Sequence, residues 1–283
     1  RLWTNGKWNK MTMAHGCYWA KCAFCDVTLD YIGRYDAPNA KVVVDRMASI
    51  MKQTGESGFH FTDEALPPRL LKEVAAELKQ RKMTVSYWGN IRFDKTYTPE
   101  LCEALADSGC IAVSGGLEVA SDRLLKLMSK GVTIEQTAIA CKNLTDAGIM
   151  VHTYLMYGFP TERLQECVDA LEVIRQMFSE GLIQSAFWHR YAMTVHSPSG
   201  QNPENYGVKR LGKGDNPFSN NEVEFSDKID YDSDKVGAAL SLATYNFMHG
   251  LGFDEPLQRW FKMKIPHTTL PKNYIRKAIS GKK

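Results

Sequence analysis

No stretch of the chain approaches about 18 consecutive apolar residues, so no membrane-spanning helix is expected. Long runs of one charge are missing too. With 35 basic and 32 acidic side chains the formal charge is only +3, too weak a field to argue for a nucleic-acid partner. The opening residues 1–7 are polar and lack the apolar segment of a secretory signal. Nothing repeats at a fixed period, which excludes a solenoid. Cysteine is sparse and odd in number, seven in 283 residues, which argues against a disulfide framework and fits a reducing, cytoplasmic setting. The chain also begins without methionine, as an excised piece of a longer protein would.

A hydrophobic content of 44% suits one large domain plus an appendage. Strand-like runs alternate with helical periods along the first two thirds. Lys10–His15, Gly58–Thr62, Met83–Trp88, Cys110–Leu117, Ile149–Tyr157 and Ile183–Tyr191 read as strands. Helical periods fill 40–54, 67–80, 98–107, 121–129, 133–147 and 162–179, many of them ending at glycine. Six such units argue for parallel βαβ connections, which either open flat or curl toward a barrel. Periodicity does not choose between the two. Residues 197–234 are rich in Pro, Gly, Asn and Asp and lack periodicity, before a helical run over 235–251.

Three of the seven cysteines, Cys17, Cys22 and Cys25, fall within nine positions, and the other four are scattered. Three thiolates on one loop can hold a soft metal centre, and on a cubane iron–sulfur cluster they leave one iron open to a small molecule. Gly16 lets the loop fold tightly, and Phe24 can shield a cluster from water. Zinc held by the same cysteines with His15 or Asp26 is the alternative, giving a zinc-stabilised α/β binding protein without catalysis. Against it, only one Cys-x2-Cys knuckle is present.

This loop resembles that of the radical S-adenosylmethionine (SAM) superfamily, three cysteines with an aromatic before the last. The commonest family spacing is Cys-x3-Cys-x2-Cys, whereas this chain has Cys-x4-Cys-x2-Cys. The extra residue is expected to form a local bulge or turn before Cys22, with Tyr18 or Trp19 pushed outward over the cluster mouth. The Gly-Cys-Tyr-Trp wording is similar to a branch often found with a cobalamin-binding domain. The sequence contains no Asp-x-His-x-x-Gly cobalamin motif, so that domain would precede Arg1.

Two further segments carry the resemblance. Thr62-Asp63-Glu64 stands where the family has a Gly-Gly-Glu-like tripeptide that meets the SAM ammonium. A helix cap is the competing role for Asp63 or Glu64. Ser114-Gly-Gly-Leu-Glu118, followed by Met128-Ser-Lys-Gly131, resembles the family's Gly-x-Glu segment. There Glu118 is implied to face the SAM ribose, with Gly115 and Gly116 admitting the cofactor. The Gly158-Phe-Pro160-Thr-Glu162 turn fits the family pattern in a structural role, Glu162 favouring the next helix's N-terminus. Arg92 is placed to meet the SAM carboxylate or a substrate anion. His152 points into the barrel or is a hydrogen-bonded core histidine. Cys102, Cys110, Cys141 and Cys167 read as small buried hydrophobes.

The resemblance implies a partial (β/α)6 TIM-type barrel in an α/β fold, with a core over 1–199 and a C-terminal appendage over 200–283 that covers or closes it. It implies a [4Fe-4S] cluster, SAM, and cobalamin as a candidate further cofactor. Reductive cleavage of SAM would start radical chemistry such as methylation or rearrangement. An electron donor such as flavodoxin or ferredoxin and a small-molecule or peptide substrate are the implied partners. Action on transfer RNA is a rival within the superfamily. Replacing each cysteine by Ala should abolish iron uptake on reconstitution at Cys17, Cys22 and Cys25 only. Iron analysis showing loss at Cys102 or Cys141 with none at Cys22 would sink the assignment.

Overall fold

Apolar strands flanked by amphipathic helices leave each strand one face to bury against helices and one to turn inward. In the computed structural model, which describes residues 8–211 and 221–281, this yields a single six-stranded parallel sheet in the order β1-β2-β3-β4-β5-β6. The strands are β1 (Asn9–Met11), β2 (Gly58–Phe61), β3 (Ser86–Ile91), β4 (Cys110–Glu118), β5 (Met150–Tyr157) and β6 (Ser185–Arg190). The helices are α1 (Asp30–Gly33), α2 (Ala40–Thr54), α3 (Pro68–Gln80), α4 (Pro99–Asp107), α5 (Asp122–Leu127), α6 (Ile134–Asp146), α7 (Leu164–Ser179), α8 (Pro198–Gln201), α9 (Ser233–Met248) and α10 (Tyr274–Ser280). The polar start over 1–7, the stretch 212–220 of the long connection, and residues 282–283 lie outside the described residues.

A strand order that follows the chain without reversal is that of a barrel, because a doubly wound sheet reverses at a switch point. Among the described residues no hydrogen bonds join β1 to β6, so the barrel is partial. Alternation along each strand sorts the side chains. Phe59 and Phe61 of β2, Val151 and Leu155 of β5, and Ala186 and Trp188 of β6 are buried. His60, His152, Tyr154, Phe187 and His189 occupy the alternate positions.

Local chemistry sets the helix limits. Asn39 caps α2 by accepting from the Val42 amide, and Gly55 ends it at φ 75°. Thr133 and Gln136 form a reciprocal capping box on α6. Glu162 does not serve the N-terminus of α7 as expected. It is buried, accepting from the Gly158 amide and, at 2.8 Å, from the Tyr231 hydroxyl. Glu166 caps α7 instead, accepting from the Arg163 amide at 3.1 Å.

The last part of the chain packs on the strand–helix layers. α9 packs on β6 and α7, completing the sixth strand–helix unit, with Trp188 Nε1 donating to Thr244 Oγ1 at 2.8 Å. α10 lies on α6 and α7. The expected boundary at 199/200 falls inside α8 and separates β6 from its own helix. The loop-rich excursion after β6 has the composition of a linker in sequence. The antiparallel pair β7 (Lys209–Arg210) and β8 (Phe225–Ser226) lies within that excursion. No helix among the described residues is long and apolar enough to cross a membrane.

Burial pushes the Glu162 carboxyl up to about 7. The folded chain therefore holds this proton more tightly than the unfolded chain does. The contribution is fully present below the ordinary value of 4.5 and is lost as pH rises through about 7. Relative to Glu162→Gln, the wild type should lose about 1 kcal/mol or more between pH 5 and 7.5 in urea unfolding. A difference that is constant or grows with pH would assign the effect elsewhere.

Candidate cofactor site

The cysteine loop has little regular structure, so its backbone groups must find partners elsewhere. They do so on four sides. Both oxygens of Asp63, at the end of β2, accept from the Met13 amide at 3.1 and 2.9 Å, and Oδ1 accepts from the Ala14 amide at 2.8 Å. The Cys17 amide donates to the Ile32 carbonyl at 3.0 Å, and the Ala23 amide to the Met128 carbonyl at 2.8 Å. Ser199 donates to the Ala23 carbonyl through its amide at 3.0 Å and its hydroxyl at 2.7 Å. Gly16, at φ 70°, is required by this packing, since a Cβ there would stand 2.1 Å from the Arg34 carbonyl oxygen.

Cys17, Cys22 and Cys25 line a cavity of about 290 Å³ at the carboxyl ends of β2–β5. Phe24, Glu64, Asn90, Arg92, Ser114, Gly116, Glu118, Lys130 and Tyr154 line it with them. Thr62 and Asp63 do not: the Asp63 carboxylate is taken up by the Met13 and Ala14 amides and is 2% exposed. Of the Thr62-Asp63-Glu64 tripeptide, only Glu64 reaches the site. It is exposed, and partial burial raises its carboxyl above the usual range. Cys102, Cys110, Cys141 and Cys167 are buried and free.

The Glu118 carboxylate is held by a buried ion pair, with Lys130 Nζ at 2.6 Å. Burial alone would push the Lys130 ammonium down, but Glu118 and Cys22 hold it above its ordinary value. Glu118 sits at φ 62°, at a register shift between Gly116 and Glu118 in the β4–β5 pairing. A Cβ on Gly116 would lie 1.8 Å from Glu118 Oε1, and one on Gly115 would lie 2.5 Å from the Phe93 ring. Both glycines thus make room for the protein's own side chains while lining the cavity. Lys130 was missed as a site residue, although it stands in the Met-Ser-Lys-Gly segment. Its spacing in sequence gives no sign that it folds back onto Glu118.

Cys22 and Cys25 share a hydrogen bond that pulls the Cys22 thiol down, against burial, with help from Lys130 and Arg92. The same bond, together with burial, pushes the Cys25 thiol up. Arg92 is 5% exposed, so a surface ion pair is ruled out for it. Before Cys22 the backbone bends at Tyr18 and Trp19 and takes a positive φ of 45° at Ala20. Tyr18 and Trp19 are not pushed over the mouth. Tyr18 donates to Asp94 at 2.9 Å and Trp19 to the Ser129 carbonyl at 2.9 Å. His152 shares a 2.7 Å hydrogen bond with Ser185 through Nδ1, and burial followed by His189 pulls it down to about 4.

The zinc alternative loses its fourth ligand here. Asp26 accepts from Thr194 at 2.5 Å and Asn221 at 2.6 Å, and His15 Nε2 lies 3.1 Å from the Asp30 carbonyl oxygen. No three His, Cys, Asp or Glu side chains among the described residues are grouped to hold a single metal ion. All three loop thiols line the one cavity, as ligands of a shared cluster would. Among the cavity-lining groups, the buried Arg92 Nε and Ser114 Oγ lack hydrogen-bond partners, as groups awaiting a polar ligand do.

A partial α/β barrel with a thiol-bearing loop at the carboxyl edge of its sheet belongs to a class of cofactor-dependent barrel enzymes. The chain belongs to the radical SAM superfamily, whose family model matches residues 11–174, more than half of its 283 residues. An uncharacterized methyltransferase of Pyrococcus horikoshii is 24% identical over 166 residues, 58% of this chain and 36% of that protein. The cytidylyl-2-hydroxyethylphosphonate methyltransferase of Streptomyces wedmorensis is 27% identical over 174 residues, 58% of this chain and 30% of that protein. The chain thus spans about a third of the length of these relatives.

Among solved structures, the radical SAM methyltransferase TsrM of Kitasatospora setae, with cobalamin and a [4Fe-4S] cluster bound, is similar at TM-score 0.59. The identity is 19%, over 73% of this chain and 42% of that one. The cobalamin-dependent radical SAM enzyme OxsB with aqua-cobalamin bound is similar at TM-score 0.65 and 14% identity, over 82% of this chain and 40% of that one. At these identities the likeness is one of fold.

The Lys130–Glu118 pair yields a stability prediction. Lys130→Met leaves a buried carboxylate without its counter-charge and should cost about 3 kcal/mol. Adding Glu118→Leu should recover most of that loss in denaturant unfolding. A single variant costing less than about 1 kcal/mol would show that water already compensates Glu118.

Proposed function

We propose that this chain is the catalytic barrel of a radical SAM enzyme in which Cys17, Cys22 and Cys25 hold a [4Fe-4S] cluster and the adjoining cavity binds SAM. The observation that carries the reading is the convergence of all three loop thiols with Glu64 and Glu118 on one cavity at the strand ends. Bound there, a four-iron cluster would supply one electron for reductive cleavage of the SAM sulfonium.

The remaining work belongs to the chain's own residues. Glu64 offers a carboxylate to the ammonium of SAM, a charge-assisted contact strengthened by partial burial. Lys130 fixes the Glu118 carboxylate so that its free oxygen edge meets the ribose hydroxyls without rotamer searching. Asp63 binds no cofactor in this reading. It holds the loop that carries the thiols, a positioning role. Phe24, beside Lys130 Nζ at 5.5 Å from its ring, keeps water from the thiol wall.

Methyl transfer with cobalamin as a second cofactor extends the proposal. Its supports are the methyltransferase names of the two curated relatives and the cobalamin bound in TsrM and OxsB. A small-molecule substrate is the matching expectation, TsrM having been solved with tryptophan.

Anaerobic reconstitution should load about four irons per chain and give a broad charge-transfer absorption. With a reductant, methionine and 5′-deoxyadenosine should be released from SAM. Glu64→Gln should weaken SAM binding roughly tenfold while moving unfolding by about 0.5 kcal/mol or less, its site being exposed. A chain that takes one zinc more tightly than it assembles iron would defeat the proposal.

A further inference from the structure

Arg92 presents a problem in charge pairing. A guanidinium stays protonated in any protein site, and a buried charge is costly unless it is paired. Arg92 is 5% exposed, yet among the described residues no carboxylate lies within 4.0 Å of it. The one carboxylate buried in the cavity, Glu118, is taken by Lys130. The group that Arg92 does address is a sulfur: Nη1 donates toward Cys22 Sγ at 3.9 Å.

The guanidinium is held in that position from two further sides. Nη2 donates to the Lys130 carbonyl at 2.6 Å. Its centre lies 4.4 Å from the Trp19 ring centroid, a cation–π contact that also keeps water off the charge. Trp19 is itself fixed. Its Nε1 donates to the Ser129 carbonyl, and its ring fills the notch over Gly131, where a Cβ would stand 2.1 Å from the indole. One short segment, Ser129-Lys130-Gly131, therefore seats both the arginine and its aromatic cover. The additional residue of the Cys-x4-Cys spacing gives this arrangement a sequence origin. Ala20 turns the chain at φ 45°, so that Trp19 lies against Arg92 while Cys22 still faces the cavity.

We propose that Arg92, covered by Trp19, is a positioning residue that supplies positive charge at the Cys22 corner of the cluster and so makes the cluster easier to reduce. The proposal rests on the reading of Cys17, Cys22 and Cys25 as cluster ligands. A cation and a hydrogen bond at a ligand sulfur stabilise the reduced, more negative cluster over the oxidised one. The role is separate from the SAM-carboxylate contact expected of Arg92: Nη1 and Nη2 are taken by Cys22 and the Lys130 carbonyl, which leaves Nε for a ligand.

The test is a redox titration of the reconstituted protein, followed by the electron paramagnetic resonance signal of the reduced cluster. Arg92→Met keeps the stem and removes the charge. At a fixed solution potential its ratio of reduced to oxidised cluster should fall about tenfold, or about 59 mV for one electron. Arg92→Lys should recover part of the loss, and Trp19→Leu should shift the potential in the same direction by a smaller amount. SAM affinity, measured in parallel, reports the separate contribution of the unpartnered Nε.

An unchanged potential in Arg92→Met overturns the inference, as does a tenfold loss of SAM affinity with the potential unmoved. If Arg92→Met assembles fewer irons, Trp19→Leu decides, since it retains Arg92 and every cysteine. An unshifted potential there overturns the inference as well. A wild-type chain that assembles no cluster would defeat the proposed function instead, a result separate from these.

Discussion

Everything at the site depends on holding still a loop that has almost no secondary structure. Backbone groups buried without partners are costly, so the loop can exist only where other elements supply donors and acceptors. Asp63 accepts from two successive amides at its entry, the Met128 carbonyl accepts from Ala23, and Ser199 donates back to the Ala23 carbonyl. These partners come from the end of β2, the end of α5, and the excursion after β6. The barrel is thus a frame that brings distant polar groups to one place, and the loop's thiols inherit their positions from it.

The same economy governs charge. A buried cation and a buried anion can both be tolerated if they meet, and Lys130 and Glu118 do so at 2.6 Å. The pairing requires a backbone that would ordinarily be unfavourable, with Glu118 at positive φ, and it requires that position 116 carry no side chain. Strain at the end of β4 is therefore tied to the electrostatics of the cavity. Three cations and two carboxylates, Lys21, Arg92, Lys130, Glu64 and Glu118, share the cavity wall with three thiols. A wall with both signs suits a zwitterionic ligand beside a negatively charged cluster.

The C-terminal third contributes on two levels. α9 supplies the outer layer for β6, where Gly237 leaves space for the Tyr157 hydroxyl, which a Cβ would approach to 2.1 Å. The excursion that precedes it fastens the cysteine loop through the Asp26 contacts with Thr194 and Asn221. Removing this third would take away a strand's packing partner and one side of the loop's support together.

The sequence by itself determined the elements and the kind of site. Hydrophobic period and cap chemistry located α2 to its observed limits, and six strands in chain order followed from local patterning. Cys17, Cys22 and Cys25 stood out by spacing, and Glu64 and Glu118 by the resemblance of their strand-end segments to those of the radical SAM superfamily. These signals are local, which is why they are readable in one dimension. Tertiary structure decided the rest. Strand order made a barrel of what could have been an open sheet. Packing turned Asp63 to the loop backbone, filled the spaces over Gly115 and Gly116 with Phe93 and Glu118, and brought Lys130 and Trp19 beside Arg92. Each of those outcomes depends on groups far apart in the chain competing for the same buried partner, a contest that neither period nor spacing records.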